Sequence, residues 1–144
     1  MPEFDSAELR RFMLEAHRVL NPRGLVISSF LSPHGRNPRQ RLFIEAASEP
    51  RWTKYSPKEW FSPTPELVKR ELRRARFTKI RVCIVPTRVR FAGKAAAKSL
   101  RAWGVKPTFL RTYGRRLKED GLESPNWIIV AATKPADSQS STHR

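Results

Sequence analysis

At 144 residues, with 29 Lys and Arg against 13 Asp and Glu and a formal net charge of +16, the chain has room for one modest domain and is strongly basic. Its single cysteine, Cys83, excludes an internal disulfide framework, and no apolar run approaches the roughly 20 residues of a membrane helix. Charge of this size favours a polyanion partner (RNA, DNA or a phosphorylated substrate) through release of counterions from phosphates, and an Arg-rich solvated surface accounts for it equally well.

The first predicted element is a helix. Leu9, Phe12, Met13, Ala16, Val19 and Leu20 recur at the i, i+3, i+4, i+7 spacing of a packed face, and Asp5 with Glu8 supplies the two ends of a capping box. Asn21, Pro22 and Gly24 stop the helix and turn the chain. Residues 25–31 follow as an almost unbroken apolar run, the pattern of a strand covered on both faces. A loop through Ser32, His34 and Gly35 leads to a short helix expected near 40–47 and an irregular stretch to 61. The next firm helix starts at Thr64-Pro65, with Thr64 as N-cap, and its apolar stripe is Leu67, Val68, Leu72 and Ala75.

Residues 78–85 alternate Ile80, Val82 and Ile84 with Lys79, Arg81 and Cys83, as an edge strand with one wet face does, and Cys83 is expected there as a buried structural thiol. Residues 127–133, WIIVAAT, lack the alternation and read as a strand buried on both faces. These patterns place 25–31 and 127–133 as central neighbours, with 78–85 outside and antiparallel to 127–133. Residues 87–125 then project from one end of the sheet as a basic insert with two short helices, one near 94–103 ending at Gly104 and one between Pro107 and Gly121. Residues 136–144, rich in Ser and Thr, read as a disordered tail after a single domain over 1–135. No secretory apolar segment follows Met1, and the chain fits a reducing cytoplasm.

In combination these pieces resemble the C-terminal half of a class I S-adenosylmethionine-dependent methyltransferase. LRRFMLEAHRVLNPRGLVISSF (9–30) is similar to the helix, Pro-Gly turn and strand at that family's fifth strand. TPELVKRELRRARFTKIRV (64–82) is similar to the next helix and sixth strand, and NWIIVAATKP (126–135) to the seventh strand with its Lys-Pro ending. The family often has Gly where Arg76 stands. The resemblance implies an α/β fold with a partial Rossmann-like sheet, the seventh strand inserted antiparallel between the fifth and sixth. It also implies methyl transfer on the substrate side of a larger domain. The family's glycine-rich cofactor loop is not among these residues: none of the six glycines forms a GxGxG after a strand. S-adenosylmethionine is therefore expected only where the other half is supplied, and no residue here is assigned to it. The partner implied is that missing half, or a second copy pairing at the open edge of strand 25–31.

The candidate site residues are few. His34 lies in the loop at the carboxyl end of a central strand, where open α/β sheets place ligands. His17 sits beside the apolar face of the first helix and reads as structural, and His143 as an inert tail residue. No Cys/His cluster has metal spacing and no serine has an elbow motif around it. Trp52 and Tyr55, in the aromatic-basic stretch Arg51–Phe61, and Arg88 and Arg90, in the cationic insert, are the expected substrate contacts, because rings interleaved with cations stack on flat ligands and hold anions. Trp60 and Phe61 read instead as a cap on the core. A non-enzymatic basic module that binds nucleic acid or completes a partner is the second reading.

Overall fold

The computed structural model describes residues 5–55 and 62–137. Helix α1 (Ser6–Val19) begins at Asp5, whose carboxylate accepts from the Ala7 and Glu8 amides while Glu8 accepts from the Asp5 amide, the reciprocal cap foreseen from the spacing. Leu9 and Met13 are fully buried, but Phe12 and Val19, placed by spacing on the packed face, are 42% and 61% exposed. The buried stripe is thus narrower than the pattern suggests. At its end Gly24 donates to the Asn21 carbonyl, Lys134 and residues 23–24 exchange backbone bonds, and Lys134 Nζ donates to the Leu20 carbonyl. A cation thereby satisfies a free carbonyl at the helix C-terminus.

Strand β1 (Leu25–Leu31) enters a three-stranded sheet. After it come α2 (Pro38–Ser48), α3 (Pro65–Arg74), β2 (Thr78–Val85), β3 (Arg90–Phe91), α4 (Gly93–Ala102), α5 (Pro107–Glu119), β4 (Leu122–Glu123) and β5 (Trp127–Thr133). The order is β1-β5-β2, with β5 antiparallel to both neighbours. This is the order drawn from the burial patterns. The register runs Leu25 opposite Thr133 to Leu31 opposite Trp127 on one side, and Val82 opposite Val130 on the other.

Helices α1 and α3 lie on the same face of that sheet. Leu9 and Met13 from α1, Val68 and Leu72 from α3, and Ile128, Val130 and Ala132 from β5 close one core, with Val26, Phe30 and Val82 packed against it. Period two puts the intervening residues on the other face, which no helix among the described residues covers. There Ile27 is 63% exposed, Leu25 and Trp127 are exposed, and Ile129 and Ala131 are only partly covered. The expectation that β1 and β5 are buried on both faces is therefore corrected: each is covered on one. Cys83, expected buried, lies on the bare face and is exposed for the same reason. Among the described residues β1 also pairs on one side only, so it is an edge of this sheet.

A second core lies beyond the end of the sheet. Leu42, Phe43 and Ala46 of α2 meet Leu100 of α4, Val105, Phe109 and Leu117 of α5, and Leu122 of β4. The two helices expected in 87–125 are present. The two-residue ladder β3–β4 beside them was not foreseen, being too short for any periodicity to register.

Helix α3 ends in a double turn: the Phe77 amide reaches the Leu72 carbonyl and the Arg76 amide the Arg73 carbonyl. Arg76 holds φ 67°, the left-handed region that glycine enters without a Cβ penalty. Arg76→Gly is expected to raise stability by about 0.5–1 kcal/mol, read as a higher urea midpoint at unchanged slope.

His17 packs edge-on to Phe77, with ring centroids 5.2 Å apart, and its Nε2 is buried with no hydrogen-bond partner among the described residues. Burial, then the charges of Lys134 and Arg76, hold its pKa below the ordinary value. The unfolded chain accordingly takes up a proton near pH 6.5 that the folded chain resists. Stability is expected to fall as pH drops below about 6.5, and His17→Phe to flatten thermal midpoints over pH 5–7.

Candidate functional site

Between the end of the sheet and the second core lies a groove of about 580 Å³. That volume is within the range of small-molecule sites. Its floor is built by a short backbone ladder. The Lys54 amide donates to the Gly104 carbonyl, the Lys106 amide donates to the Trp52 carbonyl, and Thr53 bridges Val105. Gly104 makes this approach feasible. It ends α4 at φ 84°, and a Cβ there would stand 2.6 Å from the Tyr55 ring, which lies against it.

One wall is aromatic. Phe91 meets Trp103 edge-on at 5.3 Å and perpendicular, and Phe43 packs on both. The opposite wall is the rim of the sheet, Leu31 at the carboxyl end of β1 and Trp127 at the start of β5, which are paired in register. Ala47, Leu100, Ala102 and Val105 add to the apolar lining, and Thr53 and Ser124 are polar members of it, the Thr53 hydroxyl accepting from the Tyr55 amide. Among the described residues no charged side chain lines it. Tyr55, Trp103 and Trp127 are each 40–47% exposed, so their faces are open to a visitor.

The residues expected from sequence divide around this groove. Tyr55 lines it. Trp52 does not: it is wedged edge-on between Phe109 and Tyr113, and its Nε1 donates to Glu45 at 3.0 Å. Arg51 covers its ring at 4.8 Å. The same Glu45 oxygen accepts from the Tyr113 hydroxyl at 2.9 Å, and this bond, with burial, holds the Tyr113 phenol above its usual range. Arg90 is spent on a fold contact, with Nε and one terminal nitrogen donating to the Asp120 carbonyl at 3.0 and 2.6 Å. Arg88 is exposed at φ 54° and His34 is exposed, its amide donating to the Ser32 hydroxyl. Neither lines the groove. Trp60 and Phe61, read as a cap, fall outside the described residues. Trp103, Trp127, Phe91 and Phe43 are the lining rings that sequence reasoning did not single out. Only their aromatic character signalled them.

A buried polar knot holds the groove's far end. Gln40, 2% exposed, donates to Glu123 and to the Asn126 side chain, both at 3.1 Å, and accepts from the Arg36 amide. Asn37 and Arg39 also reach Glu123. The knot fixes the loop after β1 against the segment entering β5, and its carboxylate is fully engaged.

A second concavity of about 400 Å³ lies over Glu71, which is 1% exposed and held by Arg10 at 3.0 Å, Arg74 at 3.2 Å and Arg70 at 3.5 Å. The Arg10 hydrogen bond, opposed by burial and reinforced by the charges of Arg10, Arg74 and Arg70, holds that carboxyl below its usual range. It clamps α1 to α3 and leaves no free acid for chemistry. Among the described residues no group of His, Cys, Asp and Glu is arranged to hold a metal ion, and no helix is long and apolar enough to cross a membrane. Compared with models of known families, with curated proteins and with solved structures, the chain matches none.

Proposed function

We propose that the chain is the substrate-side, C-terminal portion of a class I S-adenosylmethionine-dependent methyltransferase. On this reading its cofactor half comes from another segment or another polypeptide. Three features support the reading: an antiparallel strand between two strands that run the same way, two helices on one face of the sheet, and a groove at the carboxyl end of β1. The observation that carries it is the bare side of the sheet. Leu25, Ile27, Ile129 and Trp127 form an apolar surface that no helix among the described residues covers, continuous with the edge of β1 that is unpaired among them. A Rossmann-like half would supply both the next strand and the covering helices. In the completed domain, methyl transfer would rest on aligning donor and acceptor rather than on a dedicated acid or base.

The isolated chain is expected to self-associate through this surface. Ile27→Lys, which sets a charge in the middle of it, is expected to give a monomer in sedimentation velocity. Calorimetric titration of the chain alone with S-adenosylmethionine is expected to give no binding. Micromolar affinity there, or a clean monomer whose amides exchange slowly along both edges of β1, refutes the proposal.

A second reading, a basic module for nucleic acid, draws on one observation. Lys94, Lys98 and Arg101 of α4 and Arg111, Arg116 and Lys118 of α5 are all exposed. Binding to arbitrary RNA that weakens steeply as salt rises would favour it.

A further inference from the structure

We infer that the groove between the sheet end and the second core binds a small, neutral, flat ring compound of the phenol or naphthol class. The inference rests on the substrate-side reading only for calling that compound the acceptor; the binding itself does not depend on it. The lining selects this chemistry in three ways. Its rings stand at steep angles to one another, Trp103 perpendicular to Phe91 and at 61° to Phe43, so a flat guest meets both faces and edges. Among the described residues its polar members are few: Thr53, whose hydroxyl also accepts from the Tyr55 amide, Ser124 and Tyr55. Such a set orients one hydroxyl and suits a mostly apolar body.

The third selection is against charge. The protein carries +16, yet no cation among the described residues lines the groove. A phosphate seated there would lose water without gaining a counter-charge, which is strongly unfavourable. A nucleotide base on a polyanion would instead be drawn to the exposed cations of α4 and α5. The groove and the basic surface are thus separate in chemistry, although α4 contributes to both.

The test uses the whole chain at neutral pH. 2-Naphthol is titrated while tryptophan fluorescence is read, beside 2-naphthyl phosphate and adenosine monophosphate. Saturable 2-naphthol binding is expected, with the phosphate ester at least tenfold weaker and little dependence on salt. Ala102 is exposed and lines the groove, so Ala102→Trp fills the space without removing a contact. It is expected to weaken 2-naphthol at least tenfold with the far-ultraviolet dichroism unchanged. Trp103→Ala is expected to act in the same direction. Ile27→Lys is expected to leave binding intact, because Ile27 lies four residues before Leu31 along β1 and does not line the groove. The inference is overturned by absence of binding to millimolar 2-naphthol. Equal or tighter binding of either phosphate overturns it too, as does loss of binding in Ile27→Lys with retention in Ala102→Trp. These outcomes leave the S-adenosylmethionine titration and the exchange at β1 untouched, so the two readings fail separately.

Discussion

Phe109→Ala is expected to cost about 3–5 kcal/mol, and to do so by emptying the second core rather than the first. Phe109 is fully buried in α5, 4.8 Å from the Tyr113 ring and 5.6 Å from Trp52 by centroids. The space it leaves has little freedom to collapse. Trp52 and Tyr113 are tethered to one Glu45 oxygen, and the ladder of residues 52–54 with 104–106 fixes the backbone beside them. The cavity term therefore adds nearly in full to the lost transfer energy. Urea unfolding should show a lower midpoint at unchanged slope if the two cores unfold together. A split transition, with Trp52 emission changing first, would show that the second core melts alone. Wherever the second core opens, the ladder that floors the groove opens with it, and ring binding there should be lost in the same transition.

Gly121→Ala is expected to destabilise by about 2–4 kcal/mol, more than its single added methyl suggests. Gly121 ends α5 at φ 75°. Alanine pays a left-handed backbone penalty of about 1 kcal/mol there. The larger part is steric: the new Cβ would stand 2.3 Å from the Phe91 carbonyl oxygen. That oxygen belongs to backbone already committed to β3, where Phe91 pairs with Leu122. It cannot swing aside as a side chain would. The β3–β4 ladder must open, and Leu122, fully buried, must leave the second core. Thermal unfolding of the variant measures the effect; a loss under 1 kcal/mol would show that the ladder is dispensable.

What the sequence disclosed follows from the physics of each element. The capping box at Asp5 and Glu8, the Thr64-Pro65 start and the glycines ending α4 and α5 are local chemistry, and local chemistry is legible. The strand order was legible because alternation in 78–85 and its lack in 127–133 rank the strands by depth. What an apolar run cannot say is where its cover resides. β1 and β5 carry enough hydrophobic surface for two covered faces, and the helices among the described residues cover one. Cys83 then fell on the open side.

The site was harder to read for a similar reason. Trp52 and Tyr55 sit three residues apart in the same aromatic-basic stretch, yet one is locked behind Glu45 and the other faces the groove. Trp127 drew notice only as part of a strand, although its position at the strand's first residue brings it to the rim. Arg90 looked like an anion ligand because nothing in a sequence displays the Asp120 carbonyl waiting for it.

The position of β5 bears on how the molecule comes to be made. It separates β1 from β2, yet it is the most C-terminal of the three. On the ribosome, therefore, β1 emerges before β5, its partner in this sheet, and β2 joins it in that condition. At ordinary elongation rates roughly ten seconds pass before residues 127–133 are synthesised and the sheet can close. Through that interval α1 and α3 have no apolar floor to settle on, so holdase chaperones have a defined window in which to act. A released fragment that ends before Trp127 should be degraded as unfolded, whereas one that runs through Pro135 carries all three strands of this sheet.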